Sequence, residues 1–511
     1  MDRTPVLVGV GEASERVESA SYQALSPADL AGRAALAALA DAGGPGNLAQ
    51  HIDTIATVRQ FEISGPGFSP PFGCSNNFPR SLAARIGAAP RRAILEPVGG
   101  QGPQHLVNEF AHALFAGEAD MVLLAGSEAI STARHLASQG TAPNWTETVE
   151  GELEDRGYGL EGLMCMDLIR HGVRSPIHNY ALFENARRAR LHLTRSQYDQ
   201  AMGALFQPFT DVAATNPHAM ARERLSADDI STITPRNRRV TDPFPRRVIA
   251  RDQANQGAAL LLTTVGKAQA LGLNPANFIY LWGGADVAER AVLERGDLSA
   301  SPASVLACQT ALDAAGIGLE RVDLFDLYSC FPIAVFNILD GLGVSPQEPR
   351  PLTVTGGLPF FGGAGNNYSM HAIAGMARRL RRQSDGVGLV GANGGFLSKY
   401  SVGIYSATAR PFAPFSSHAA QAEIDAWAAP HLTVGGEGRV ETYMIDFAGE
   451  TPSATLILRD ADNRRFVAAS DPTRPDLVAS LVSDEPLGGW VTTAVGAKDR
   501  TVITSFRPAG A

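Results

Sequence analysis

The residues of this chain best suited to chemistry gather around glycines. Tyr328-Ser329-Cys330-Phe331 sets a phenol, a hydroxyl and a thiol side by side. The run from Gly356 to Asn367, ending Gly362-Gly363-Ala364-Gly365-Asn366-Asn367, leads into Tyr368 and His371. Asn393-Gly394-Gly395 precedes Lys399-Tyr400, and Gly99-Gly100 stands in a similar run upstream. Such loops let a ligand approach the backbone and meet its amide donors, although the same glycines can serve turns alone. Tyr328, Ser329, Cys330, Asn367 and His371 are the candidate catalytic side chains. Plainer readings stand beside two of them. Cys330 lies in the apolar stretch Phe331-Pro332-Ile333, which suits a buried, inert thiol, since reactive thiols want electropositive, partly exposed surroundings. His371 falls on the helix expected after the loop, where a lone histidine is more often a packing or capping residue than a base.

Groups so far apart in sequence must be brought together by a repeated scaffold, and the chain repeats itself. Ser26-Pro27-Ala28-Asp29-Leu30 opens an alanine-rich helix ending near Gly43, followed by the strand-like Ile52-Asp53-Thr54-Ile55. Ser301-Pro302-Ala303-Ser304-Val305 opens another, ending at Gly316 and followed by Val322-Asp323-Leu324-Phe325. Serine before proline reads as an N-cap with proline in the first turn, and glycine closes each helix. Phe72-Gly73-Cys74-Ser75-Asn76-Asn77-Phe78 pairs by pattern with Gly362 to Tyr368, and the strand Met121–Gly126 pairs with Val387–Gly391. A duplicated α/β fold follows.

Two stretches break the repeat. Residues 131–251 read as a mostly helical insertion rich in arginine, with Arg236, Arg238, Arg239, Arg246, Arg247 and Arg251 close together. After about Arg410, Pro411-Phe412-Ala413-Pro414-Phe415 reads as a linker. Alternating strands follow at 439–445, 454–458, 465–469 and 501–505, which predicts a small antiparallel barrel.

Composition bounds the function. At 511 residues, with 45% hydrophobic and 19% charged positions, the chain is an ordinary globular protein of several domains. A net charge of −9 argues against nucleic acid as a partner. No apolar run is long enough for a membrane span. Four scattered cysteines and no export signal point to the cytoplasm and offer no zinc or disulfide framework.

Asn255-Gln256-Gly257-Ala258-Ala259-Leu260-Leu261-Leu262, running on to Lys267–Leu273, with Gly117–Asp120 and Glu128 around a buried strand, completes a resemblance. Over residues 1–410 the chain resembles the thiolase superfamily, nearest its sterol-carrier-protein branch and the thiolase-like protein type 1 family. The resemblance implies a duplicated five-layer αβαβα thiolase fold, with a first half at 1–275 carrying a helical loop-domain insertion at 131–251. A second half would span 276–410, and an OB-like barrel 411–511. It also implies that the glycine loops meet around one pocket. Thiolases use two cysteines, with histidine and asparagine donors. Here the nucleophile falls at Gly100, the histidine of the second motif at Tyr328 and that of the third at Gly363. Gly391-Ala392-Asn393-Gly394-Gly395 lacks the acid/base cysteine.

Thiolysis or Claisen condensation by the family mechanism is therefore expected to be absent. The resemblance further implies coenzyme A or an acyl-CoA as ligand, no metal, and a place in lipid metabolism. Arg238, Arg239, Arg246 and Arg247 would meet the CoA phosphates, unless they simply pair with neighbours such as Asp242 and Asp252, and Gly394 and Gly395 would also bind the ligand as part of the pocket loops. Two functional classes stay open: an acyltransferase-like enzyme without a cysteine nucleophile, or a non-catalytic acyl-CoA- or lipid-binding protein. The second includes a subunit of an acyltransferase complex, joined through the barrel. A homodimer or a monomer fits either.

Overall fold

The computed structural model describes every residue except Gly162, Pro346, Ser384 and Ala511. Ten strands form one sheet in the order Leu324–Leu327, Val387–Gly394, Lys399–Ser406, Ile279–Ala288, Pro5–Ser14, Asn255–Thr264, Met121–Ala129, Thr54–Val58, Arg92–Glu96, Glu154–Asp155. Its two halves meet where Val6 and Leu7 pair with Tyr280 and Ile279. Helices Gly102–Ala116 and Tyr368–Leu380 pack against each other and against strands of both halves. Helices Pro27–Ala42 and Pro302–Ala315 cover the outer faces. The layers run αβαβα, with the two glycine-led helices in the buried middle.

Small residues allow this packing. A Cβ at Gly11 would collide with the backbone of Ala34–Ala38, and one at Gly283 with that of Ala311–Ala315. Each outer helix thus lies directly on a glycine of the first strand of its own half, a contact side chains would prevent.

Chain order corrects one pairing read from the sequence. Phe72–Phe78 leads into helix Phe78–Ile86, which follows the strand Thr54–Val58. Its counterpart is helix Pro332–Leu342, after Leu324–Leu327. Leu352 and Pro351 accept from the amides of Leu327 and Phe325, so this stretch occupies the place that Arg92–Glu96 holds in the first half. The counterpart of Gly362–Tyr368 is therefore Pro97–Gln101. The shared Asn-Asn-aromatic ending is a local likeness between loops of different rank.

Between Ala129 and Asn255 the chain adds only the edge strand Glu154–Asp155 to this sheet and otherwise forms mostly helices, the longest being Pro176–Arg190 and Arg195–Thr215, before the short strand Arg239–Asp242 pairs with the C-terminal strand Glu437–Asp446. The C-terminal strands Glu437–Asp446, Ser453–Arg459, Arg465–Ala469, Trp490–Val495 and Thr501–Arg507 close a five-stranded barrel, since the first pairs with both the second and the fourth. Its one parallel pairing joins Ala469 to Val502, and the strand Trp490–Val495 carried no clear alternation in the sequence. Arg188, 1% exposed, holds the barrel down through Glu485 (2.6 Å) and the Tyr443 hydroxyl (3.0 Å). Arg195 donates to the carbonyls of Leu481, Val482 and Asp484.

Candidate functional site

The glycine loops do converge. Ser369 on the first turn of Tyr368–Leu380 donates to the Gly100 carbonyl. Gly99 donates its amide to Asn366 Oδ1 (3.0 Å), and Asn366 Nδ2 donates to the Arg59 carbonyl (2.7 Å). Asn367 Nδ2 donates to the Gly126 carbonyl (2.6 Å). The N-termini of the two central helices are thus stitched together, as two equivalent ends of a duplicated fold must be. Asn366 spends both ends of its carboxamide on this stitching, whereas the buried Asn367 Oδ1 has no hydrogen-bond partner among the described residues.

The space at the centre is filled. A Cβ built on Gly100 would lie 2.5 Å from Tyr328 Cζ and 2.6 Å from Cε2, and closer still to the hydroxyl. Tyr328 is buried and rests edge-on against Tyr368, with ring centroids 5.3 Å apart. A Cβ on Gly394 would strike Gln101 Oε1 and come within 3.2 Å of Gly99 Cα. Gly363 donates its amide to the Arg251 carbonyl (2.7 Å), and a Cβ there would stand 3.1 Å from that oxygen. The end of the insertion seals the cluster: Ala250 donates to the Cys330 carbonyl (3.0 Å) and Arg251 to that of Leu358 (3.1 Å).

The titratable groups here are desolvated. Burial pushes the Cys330 thiol up to about 12, so it stays protonated near neutrality. Burial, followed by the charge of Cys330, raises the Tyr328 phenol. Asn393 Nδ2 donates to the Tyr180 hydroxyl (2.7 Å) and faces Cys330 Sγ at 3.8 Å. Tyr180, from the insertion, stacks on Phe331 with centroids 4.4 Å apart. Ser329 accepts from the Leu358 amide (3.2 Å). Glu128 accepts from the Phe61 amide (2.7 Å), and burial drives its carboxyl up to about 8.

Tyr328, Ser329, Cys330 and Asn367 therefore share one buried cluster with Gly100 and Gly394. His371 is separate, about one turn along its helix. Its Nδ1 meets Glu12 Oε1 at 2.6 Å and Arg378 pairs with the same carboxylate. Burial pushes Glu12 up, but the His371 hydrogen bond and the His371 and Arg378 charges bring it down to about 2. Sequence reading missed Tyr180 and Gln101. Tyr180 carried no local signal, because only the fold of the insertion turns it inward; Gln101 was adjacent to Gly100 and visible.

The arginines divide. Arg239 binds Asp199 (2.6 Å) and Arg247 the Asp229 carbonyl (2.6 Å). Arg238 is exposed, with only a long contact to the next carbonyl. Arg246 and Arg251 are exposed and make no side-chain hydrogen bond or ion pair among the described residues. Partial desolvation, then the charge of Arg246, lowers the Arg251 guanidinium. No group of His, Cys, Asp and Glu suited to a metal occurs among the described residues, and no helix is long and apolar enough to cross a membrane.

No protein-family model and no curated protein sequence matches the chain. Solved structures do. A monomeric SCP2-thiolase-like protein type 1 from Mycobacterium smegmatis is 42% identical over 99% of both chains, with a TM-score of 0.84. An Ltp2–ChsH2(DUF35) aldolase is 19% identical over 79% of this chain and 98% of that one, with a TM-score of 0.59. An acetyl-CoA acetyltransferase from Syntrophomonas wolfei is 16% identical over 79% and 99%, with a TM-score of 0.56. The last two share the fold alone.

Proposed function

Because the chain belongs to the SCP2-thiolase-like protein type 1 family of the thiolase superfamily, we propose that it binds a CoA thioester without thiolysis or Claisen condensation by the cysteine mechanism. The observation that carries this reading is the Tyr328 phenol standing where any side chain at Gly100 would have to go. A covalent acyl-enzyme needs a thiolate at that point. The nearest thiol, Cys330, is buried and protonated. In this reading Tyr328, Ser329, Cys330 and Asn367 shape the centre, and His371 fixes Glu12 beneath it.

Support for the ligand comes from the rim. Arg246 and Arg251 press on each other with no carboxylate bonded to either, beside the loop that carries Gly363. Paired cations of this kind suit phosphates, which accept charge-assisted, bidentate bonds. Arg236 and Arg238 extend the same exposed stretch. Gly394 and Gly395 offer backbone to a pantetheine arm once Gln101 moves aside. The chain divides on this reading into 1–275, with its insertion at 131–251, then 276–410 and 411–511. A second reading, a subunit docking a partner through its barrel, is favoured by Val434 and Val495, 81% and 75% exposed.

Calorimetric titration with CoA and acetyl-CoA tests the proposal, with acetoacetyl-CoA thiolysis measured in parallel. Salt-sensitive binding without turnover is expected, weakened about tenfold or more by Arg246→Glu with Arg251→Glu. Absence of binding at millimolar ligand, or measurable thiolysis, refutes it.

A further inference from the structure

The strand Pro5–Ser14 runs out beside the end of the insertion, and its last residues alternate in facing. Glu15 prolongs it by donating its amide to the Asn255 carbonyl (3.0 Å). The Glu15 side chain turns inward, where it accepts from the Gln23 and Leu25 amides (2.9 and 3.0 Å). The period of two therefore sets Glu12, Ser14 and Arg16 on the other face, about 7 Å from one to the next. In that order they present a carboxylate, a hydroxyl and a guanidinium.

One imidazole meets this row. Ser14 Oγ and His218 Nδ1 stand 3.1 Å apart, and both residues are partly exposed. His218 follows helix Arg195–Thr215 and is held from two sides: its amide donates to Asn216 Oδ1 (3.0 Å), and its carbonyl accepts from Gln256 Nε2 (2.9 Å). With the ring proton on Nε2, Nδ1 is free to accept from the Ser14 hydroxyl. Burial lowers the imidazole; Glu12 pulls it back, while His371, Arg378 and Arg16 push it further down. It is thus neutral near pH 7, the state a base needs. Glu12 is ionised there and favours the imidazolium as it forms. Two residues on from each partner, Arg16 and Met220 line an open cleft of about 390 Å³ together with Glu18, Ala214 and Arg222. Arg16 and Arg222 each donate to a backbone carbonyl, of Ala219 (2.9 Å) and Ala214 (3.3 Å), and neither forms an ion pair among the described residues. Two guanidinia against the Glu18 carboxylate leave the cleft cationic.

We infer that Ser14 and His218 are a nucleophile and its base, which hydrolyse a small oxygen ester whose nearby carboxylate is held by Arg16 and Arg222. Nucleophile and base already lie within hydrogen-bond reach. Ser14 Oγ bonds to the acyl carbon while its proton passes to His218 Nδ1, and the alcohol leaves with that proton. Water then attacks the acyl-serine, its proton returns through His218 to Ser14 Oγ, and the carboxylic acid departs. The cationic cleft also steadies the charge that develops on the acyl oxygen. A CoA thioester carries its phosphates a whole pantetheine arm from the acyl carbon, so this activity does not rest on the reading above.

Hydrolysis of 4-acetoxybenzoate, whose carboxylate cannot reach its own ester, is compared with that of phenyl acetate on the full chain. Saturable turnover is expected, with kcat/KM about tenfold higher for the anionic ester. Ser14→Ala and His218→Gln should each lower it about 100-fold or more, and Arg16→Gln with Arg222→Gln should erase the preference between the esters. Catalysis by surface histidines alone would survive Ser14→Ala. A fluorophosphonate should label Ser14, located by peptide mass, and 4-acetoxybenzoate should slow the labelling. That measurement needs only the parent protein, so it decides should Ser14→Ala not fold. No hydrolysis above the solvent rate, equal rates in parent and Ser14→Ala, or no label on Ser14 overturns the inference.

Discussion

Replacing Gly100 by alanine tests whether the Tyr328 ring truly occupies the reaction centre. Gly100 has no left-handed backbone constraint, unlike Gly99 at φ 150°. In open space the change would stabilise by about 0.4–1 kcal/mol through the unfolded chain. The new Cβ, however, falls 2.5 Å from Tyr328 Cζ, where ordinary contact begins near 3.4 Å. The ring must retreat by about an ångström inside a close-packed core, an overpacking that costs about 1–3 kcal/mol. Gly100→Ala should therefore destabilise. Tyr328→Ala alone should destabilise by about 3–5 kcal/mol through the cavity it leaves. Together they should be less harmful than their sum by about 1–3 kcal/mol, since the methyl then enters vacated space. Calorimetric unfolding of the four proteins measures this, with the transition of the ten-stranded sheet followed separately because a chain of several domains need not melt in one step. A neutral or stabilising Gly100→Ala, or additive effects, would refute the filled centre.

Other consequences follow from the same structure. Glu128 titrates at about 8 when folded against an ordinary 4.5, so the folded state holds the extra proton between those values. Stability should fall as pH rises from about 4.5 to 8, and Glu128→Gln should flatten that fall in urea midpoints measured across the range. The edge strand Arg92–Glu96 is covered by Glu154–Asp155, and Arg156 anchors the cover to Glu96 (2.9 Å) and Glu109 (2.7 Å). The protein should scatter light as a 53.9 kDa monomer, whereas Arg156→Glu should bare the strand and promote self-association. Arg188→Met removes the buried cation under the barrel and should cost about 1.5–3 kcal/mol at that interface through lost charged hydrogen bonds, since the half-exposed Glu485 left behind can turn to water, seen as earlier proteolysis or melting of the barrel.

The sequence by itself determined the scaffold. Serine–proline helix starts, glycine stops and the apolar strands recur because both halves solve one packing problem, that of laying a helix on a sheet through small residues such as Gly11 and Gly283. The absence of side chains at Gly100 and Gly363 was equally plain, since a missing group needs no coordinates. Other features were out of its reach. Phe72–Phe78 and Gly362–Tyr368 look alike as strings, yet only strand order shows that they begin helices of different rank. Ser26 and Ser301 look alike as caps, yet Ser26 accepts from the Asp29 amide (3.1 Å) while Ser301 makes no capping bond and meets the Ser304 hydroxyl instead. Tyr328 read as a candidate catalytic phenol, and only the tertiary structure sets its ring in the space beside Gly100; the arginine run likewise separated into bonded and free members. Chain pattern reports which backbone conformations and faces are possible. Which side chain fills a given space depends on residues hundreds of positions apart, and only the packed tertiary structure brings these into contact.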